Sequence, residues 1–388
     1  MRVVLLQDLN LKADELSVIC NGISYKDTDE ILWSATNPGE GTEGTPALSA
    51  VNNIPGYYRL TYKKDMGLIV KKYPWLQGFA ICLDNYASVD QYMAACFNKK
   101  VRGNIKRCLR RLENCYDISY ACYYGEIEED LCKSLLDRLY DMIVARFLER
   151  QERSATLEHW EQIKSTLYPW ILSKKASLYV ISQAGKPICI SISYHYGSTL
   201  FYYVTSYDIA YSKFSLGNIM IYKQLERCFK EGGYRFIEMG WGYMDYKRRW
   251  CNRTHTFERH LIYPEGSLKG WIFNLVKGNQ TSFVAYLQDK PIYRLYNRIN
   301  AALKNGATGD SPSTTSYHMA DADYAAVAAD LTPVPISNRP GLPMKQLLND
   351  FLYNTEEHCK DVRFLEDKSR ATLFLKGKRN FKQLIPEG

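Results

Sequence analysis

SLYVISQ (177–183), ICISISYHY (188–196) and LFYYVTS (200–206) are three runs rich in β-branched and aromatic residues, separated by turns at 184–187 and 197–199. Hairpin spacing of this kind predicts an antiparallel meander. A loop follows over 207–214, then helical text from about Ser215 to Glu231, a Gly232-Gly233 stop, and a further strand, YRFIEMG (234–240). Glycine just past the last periodic residue is a common helix stop. A strand–helix–strand crossover therefore joins the meander, and the sheet is expected to be mixed and mostly antiparallel.

Upstream, strand-like text begins at Gly56 with YYRLTYKK, breaks near 65–67, and resumes with GLIV and GFAICL (78–83). Between Ser88 and Glu113, Met93, Phe97, Val101, Ile105, Leu109 and Leu112 recur at helical spacing. A strand at 117–124 and helices at about 128–150 and 157–173 follow. NPGEGTEGTP (37–46) reads as a surface loop. Downstream of Pro264 the text is helical, basic and aromatic-rich, interrupted at Pro291. Residues 306–340, rich in Ala, Asp, Ser, Thr and Pro, read as linker. The last stretch regains helical text around 347–359 and ends in a basic, strand-like tail.

The chain has 388 residues, 46% hydrophobic and 24% charged, so a sizeable core is within reach and a mostly disordered chain is excluded. Lys and Arg exceed Asp and Glu by 50 to 42, a net +8 that favours anionic partners without naming one. Eleven scattered cysteines with no C-x-x-C pair point to a reducing cytoplasm and packing roles, including for Cys108, Cys115 and Cys122. Acidic residues interrupt the first apolar stretch, so no signal peptide is read, and no apolar run approaches the ~20 residues of a membrane span. Any membrane contact is expected to be peripheral, at the inner face. No H-E-x-x-H or similar metal-ligand spacing occurs, and no motif for sequence-specific nucleic-acid binding is visible.

The meander and crossover lead into EMGWGYMDYKRRW (238–250). With that signature the chain resembles the CelD-like branch of the GNAT acyltransferase superfamily, related to the FemABX aminoacyltransferases. Members end the fifth strand with an acidic residue and continue to a Gly and a Tyr-Lys pair, here Glu238, Gly242, Tyr246 and Lys247. The likeness covers about 56–264 and includes the basic helix NKKVRGNIKRCLRRLE and the Arg146-Phe147 pair. It implies an α/β fold of two GNAT-like halves, a degenerate one over 1–127 and a site-bearing one over 128–266. A helical extension (267–305), a linker or insert (306–340) and a small C-terminal segment (341–388) complete the expected organisation.

The resemblance also implies a mechanism. The fourth and fifth strands splay, and the pantetheine arm of an acyl donor lies in the opening. Ser215, Leu216, Gly217 and Asn218, at the crossover helix N-terminus, are placed to receive a pyrophosphate. The family's phosphate loop carries several glycines, whereas this chain has Gly217 alone; acyl-CoA, an acyl carrier protein and aminoacyl-tRNA all stay open as donors. Acyl transfer needs a base and a proton donor. Glu238 is the expected base, Tyr246 the donor to the leaving thiolate, and Lys247 a grip for an acceptor phosphate or carboxylate. Each has a plain alternative: an ion-paired carboxylate, a packed ring, a solvated lysine. His255 and His260 are further candidate bases or structural histidines, and His195 reads as core. Arg102, Arg107, Arg146, Tyr203, Trp241 and His255 are the expected acceptor-binding residues.

Lys99, Arg102, Lys106 and Arg110 line one helix face opposite the apolar one. That face is either a solvated surface or a patch for a glycan, lipid or nucleotide-linked acceptor. The basic aromatic segment 269–304 either packs across the catalytic domain or docks on a membrane. The expected activity is transfer of an acyl group to an amine or hydroxyl of a cell-envelope glycan, lipid or related precursor. The alternatives are aminoacyl-tRNA-dependent transfer and an inactive module that binds an anionic glycan or lipid.

Overall fold

The computed structural model describes residues 1–35, 48–64, 66–150, 154, 156–242, 244–288, 317–325, 327, 331–335, 343–369 and 372–386. The loop expected at 37–46 lies outside them, as does the half of the helical extension beyond residue 288. In chain order, the N-terminal part runs β1 (Arg2–Val4), α1 (Leu5–Asp8), α2 (Ala13–Ser17), β2 (Cys20–Tyr25), β3 (Ile31–Ser34), β4 (Ser49–Ile54), β5 (Tyr58–Tyr62), β6 (Leu68–Cys82), α3 (Val89–Cys96), α4 (Lys99–Cys115) and β7 (Ile118–Tyr123). The central part runs α5 (Glu129–Glu149), α6 (Trp160–Leu172), β8 (Ala176–Gln183), β9 (Lys186–Tyr196), β10 (Thr199–Tyr207), α7 (Leu216–Glu231), β11 (Phe236–Trp241), α8 (Asp245–Trp250) and β12 (Arg253–Pro264). Then come α9 (Leu268–Gln288), β13 (Tyr317–Asp321), β14 (Leu331–Val334), α10 (Met344–Thr355), β15 (Arg363–Asp367), β16 (Thr372–Lys376) and β17 (Phe381–Pro386).

The meander forms as its spacing dictates. Gln183 pairs with Lys186 across Ala184-Gly185, whose φ values of 45° and 79° make the two-residue turn that suits the twist of flanking strands. β9 and β10 close antiparallel, and α7 carries the chain over to β11, parallel to β10. These strands belong to one nine-stranded mixed sheet of order β1-β4-β12-β6-β11-β10-β9-β8-β7. The two expected halves are thus continuous: β6, from the first, lies between β11 and β12 of the second. β6 is one fifteen-residue strand where the sequence suggested two pieces. Pro74, inside it, faces Glu258 beside a register shift in β12, where a missing N–H is tolerated.

Helices cover both faces. Apolar residues of α3, α4, α7 and α10 pack on one, together with Leu200, Ile237 and Met239 of the sheet. α1, α2, α5, α6 and the small sheet β3-β2-β5 cover the other, with Phe201 and Phe236. The apolar period from 88 to 113 divides into α3 and α4, because the Asn98 side chain accepts the Val101 N–H at 2.9 Å and starts a new helix. Cys108 and Cys115 are buried in that core and Cys122 is half-buried.

The reading of 306–340 as linker is corrected in part. β13 pairs with β17 and β14 with β15, so both belong to a five-stranded sheet of order β13-β17-β16-β15-β14. Each is a short edge strand whose partner lies 30 or more positions away, so little local patterning announces it. No helix among the described residues is long and apolar enough to cross a membrane.

Candidate active site

β10 and β11 pair through only three register positions, Thr199 with Phe236, Leu200 with Ile237 and Phe201 with Glu238. Beyond them, β10 shifts register against β9 between Tyr202 and Val204, and β11 shifts against β6 between Glu238 and Trp241. Irregularities on the outer sides of two neighbouring strands turn them away from each other. Gly240 and Gly242 carry the chain out of β11 at φ 72° and 100°, which side chains rarely adopt. The inner edges past Phe201 and Glu238 are left without a ladder partner, an opening suited to an extended, hydrogen-bonding ligand.

The α7 N-terminus lies beside this opening. Ser215 has φ 57° and ψ 44°, and its side chain caps nothing. Its carbonyl accepts the N–H groups of Asn218 and Ile219. Leu216 is fully buried, and the Asn218 amide oxygen accepts the Trp250 indole N–H at 2.9 Å. Leu216 and Asn218 are therefore anchored by their side chains, and what this turn can offer an anion is backbone N–H groups. A Cβ on Gly217 would lie 3.7 Å from the Tyr207 ring, so Gly217 borders the end of β10. The Arg146 guanidinium sits 5.1 Å over that same ring. Burial raises the Tyr246 phenol to about 12 while Arg146 opposes the rise, so Tyr246 holds its proton at neutral pH and can donate it.

Glu238 departs from the expectation of a carboxylate open to the cleft. It is 0% exposed and accepts three hydrogen bonds, from Tyr57 Oη at 2.6 Å, the Gly240 N–H at 2.7 Å and His255 Nε2 at 2.8 Å. The Gly56 N–H donates to His255 Nδ1 at 3.2 Å, which assigns the ring proton to Nε2, facing Glu238. The ring leans edge-on against Tyr57 and Phe257, and a Cβ on Gly78 would strike it at 2.4 Å. Only glycine fits there. This knot fastens β11 to β12 and to the Gly56-Tyr57 turn; full burial closes Glu238 to a substrate proton, and His255 has no free nitrogen for an acceptor.

Lys247 lies close to the knot. Its side chain is buried, Nζ donates to the Trp241 carbonyl, and desolvation lowers its pKa to about 8 although the Glu238 charge pulls it up. The expectation of a solvated or phosphate-gripping lysine gives way to a desolvated amine near neutrality, the environment in which lysine exchanges protons. Trp241 sets its ring edge-on to Phe257. Tyr203 stacks on Tyr194 at 4.8 Å and lines a separate cleft of about 330 Å³ with Arg2, Asp8, His159 and Gln162. Arg102 donates to the Ala94 and Phe97 carbonyls and lines a third cleft with Asp90 and Lys106, while Arg107 bonds the Asn104 side chain. The structure thus gathers Arg146, Gly217, Tyr246 and Lys247 around the opening and places Arg102 and Arg107 elsewhere. His195 is a core residue, bonded to Ser177 and Tyr234, its pKa lowered by burial to about 3. His260 bonds Tyr62 and Glu258.

Several contributors were not read from sequence. Tyr57 looked like strand text, and nothing local distinguishes it from Tyr58. Asp208, at the end of β10, caps the turn before α7 through the Ala210 N–H. It is bonded by Arg138 of α5 at 2.9 Å and Lys345 of α10 at 2.7 Å, which together outweigh its burial and hold its carboxyl below the usual range. Fully buried Asn349 of α10 donates to the Ala210 carbonyl at 2.8 Å and accepts the Tyr116 hydroxyl at 2.6 Å. The C-terminal unit is thereby fastened to the turn that sets Ser215 and the α7 N-terminus.

Residues 99–248 match the acetyltransferase (GNAT) domain family, from the start of α4 into α8. Among solved structures, FemX is similar at 10% identity over 59% of this chain and 74% of that one, with a TM-score of 0.40. The C-terminal domain of a putative lysylphosphatidylglycerol synthetase from Agrobacterium fabrum is similar at 10% identity over 61% and 74%, with a TM-score of 0.37. A conserved protein of unknown function from Bacteroides thetaiotaomicron is similar at 12% identity over 55% and 69%, also at 0.37. No curated protein matches the chain.

Proposed function

Because the chain carries a GNAT acyltransferase domain over residues 99–248, we propose that it moves an acyl group from a thioester donor, acyl-CoA first among them, to an amine or hydroxyl acceptor. The observation that carries this reading is the opening between β10 and β11 with the α7 N-terminus beside it. The pantetheine arm lies along the unpaired strand edges, and the pyrophosphate takes the N–H groups of Leu216 and Gly217. The acceptor attacks the thioester carbonyl, and the carbon–sulfur bond breaks. Tyr246 gives its proton to the departing thiolate, and Lys247, in its neutral form, takes the acceptor's proton in place of Glu238, which holds the scaffold. Arg146, over the Tyr207 ring that borders Gly217, is the cation at the donor-phosphate end.

A cell-envelope glycan, lipid or nucleotide-linked acceptor fits the net positive charge, and eleven free cysteines fit a cytoplasmic setting. The tRNA-dependent alternative would need an open cationic surface, and α4 supplies less of one than its sequence suggests: Lys106 pairs with Asp90 and Arg111 with Glu356. Acyl transfer from a panel of acyl-CoA thioesters to amines and sugar alcohols tests the reading. Tyr246→Phe and Lys247→Met are expected to lower kcat roughly a hundredfold, the usual scale of acid–base catalysis. Wild-type rates in both folded variants would overturn the assigned roles.

A further inference from the structure

We infer that the cleft between the beginning of β1 and helix α9 binds the anionic headgroup of a membrane lipid, and that α9 lies in the plane of the bilayer surface with its outward face among the acyl chains. None of the residues assigned to acyl transfer takes part. The cleft measures about 340 Å³ and is lined by Arg2, Asn52, Trp75, Arg259, Phe273 and Lys277, among others. Three of these are cations, and no carboxylate lines it among the described residues.

The partners of Arg259 are neutral. Nε donates to Asn52 Oδ1 at 2.6 Å, Nη1 to Thr281 Oγ1 at 2.9 Å, and the guanidinium lies 3.7 Å from the centre of the Trp75 ring. Burial, with the like charge of Arg2, lowers its pKa to about 10, as expected of a cation desolvated without a counter-charge. A fixed guanidinium flanked by a second arginine and a lysine is chemistry for a phosphate.

The second observation lies on the same helix. α9 packs on β6 and β12 through its smallest residues: a Cβ on Gly270 would meet Tyr263 at 2.6 Å, one on Gly278 would meet the Tyr73 hydroxyl at 2.5 Å, and Thr281 is fully buried. Its large apolar side chains point out, with Leu268 71%, Trp271 55%, Val276 57%, Phe283 62% and Tyr286 64% exposed. At 3.6 residues per turn these form one broad stripe with Lys269 at its margin beside Val276, and Lys277 lies farther round, at the cleft between the stripe and the packed face. An apolar face carrying Trp and Phe with basic residues at its margin is the composition of a helix that lies in a membrane interface. A soluble phosphate would explain the cations but not the stripe. A second copy related by a twofold axis would explain the stripe but would bring like-charged clusters together.

Flotation of the full chain with vesicles tests this, using phosphatidylcholine alone and phosphatidylcholine mixed with phosphatidylglycerol, at low and high salt. Preferential, salt-sensitive binding to the mixed vesicles is expected. Each of Arg2→Gln and Lys277→Gln, both at exposed positions, should weaken it about fivefold. Val276→Ser with Phe283→Ser should lower binding to both vesicle types. Equal or absent binding to the two vesicle types would overturn the proposal. So would stabilisation by inorganic phosphate without flotation, or a concentration-dependent dimer that the Val276→Ser/Phe283→Ser variant dissociates.

Discussion

The two ends of β11 are built on opposite principles. At Phe236–Glu238 the strand is zipped to β10 on one side and β6 on the other, and Glu238 receives three donors. From Met239 onward β10 turns away, two glycines take positive φ, and the strand edge faces an opening. Full satisfaction of polar groups marks scaffold, and withheld satisfaction marks where a ligand completes the structure. By that criterion the acidic residue that looked catalytic in sequence is the fastening, and the groups just past it are the ones proposed to react.

Removing the fastening should have the largest effect. Glu238→Ala strands Tyr57, His255 and the Gly240 N–H without their acceptor, and breaking a buried network of this kind costs about 3–5 kcal/mol. A urea midpoint close to wild type would show that the carboxylate is not structural. Next in size is the pH response of Lys247. Its folded pKa of about 8 lies below the 10.5 of an ordinary lysine, so the folded state loses this proton first. Below pH 8 the lysine is protonated in both states and the burial penalty is fully felt; stability should rise from about pH 8 toward 10.5 as the unfolded chain alone keeps the proton. The transfer rate should rise through about pH 8, and both responses should disappear in Lys247→Met. A rate profile that keeps the same inflection without Lys247 would assign the base elsewhere. The smallest effect belongs to the turn before α7. Asn349→Ala leaves Ala210 O and the Tyr116 hydroxyl unpartnered at about 1–3 kcal/mol, and should raise the donor KM severalfold with little change in kcat. An unchanged donor KM would show that the C-terminal unit does not position that turn.

Much of this architecture was legible because it is local. The meander, the crossover helix and β11 follow from turn residues and period over fewer than 70 positions, and the Tyr-Lys signature placed Tyr246 and Lys247 beside the opening. What sequence could not supply were pairings across long separations. Tyr57 reaches Glu238 over 181 positions, and Lys345 reaches Asp208 over 137, with no periodic signal linking either pair. The basic face of α4, open in sequence between a solvated surface and an acceptor patch, is partly engaged by partners of the same distant kind: Arg102 caps the end of α3, and Arg110 lies 3.8 Å from Glu356, far along the chain.

The most direct measurement is the thermal midpoint of the full chain with acetyl-CoA, a long-chain acyl-CoA, free CoA and deacylated tRNA, in wild type and in Gly217→Phe. A ligand that binds only the native state raises the midpoint in proportion to RT ln(1 + [L]/Kd). The expected result is a rise with a CoA species and none with tRNA, lost when the bulky side chain at 217 fills the space beside Tyr207. No rise with any CoA species, or an equal rise in Gly217→Phe, would contradict donor binding between β10 and β11.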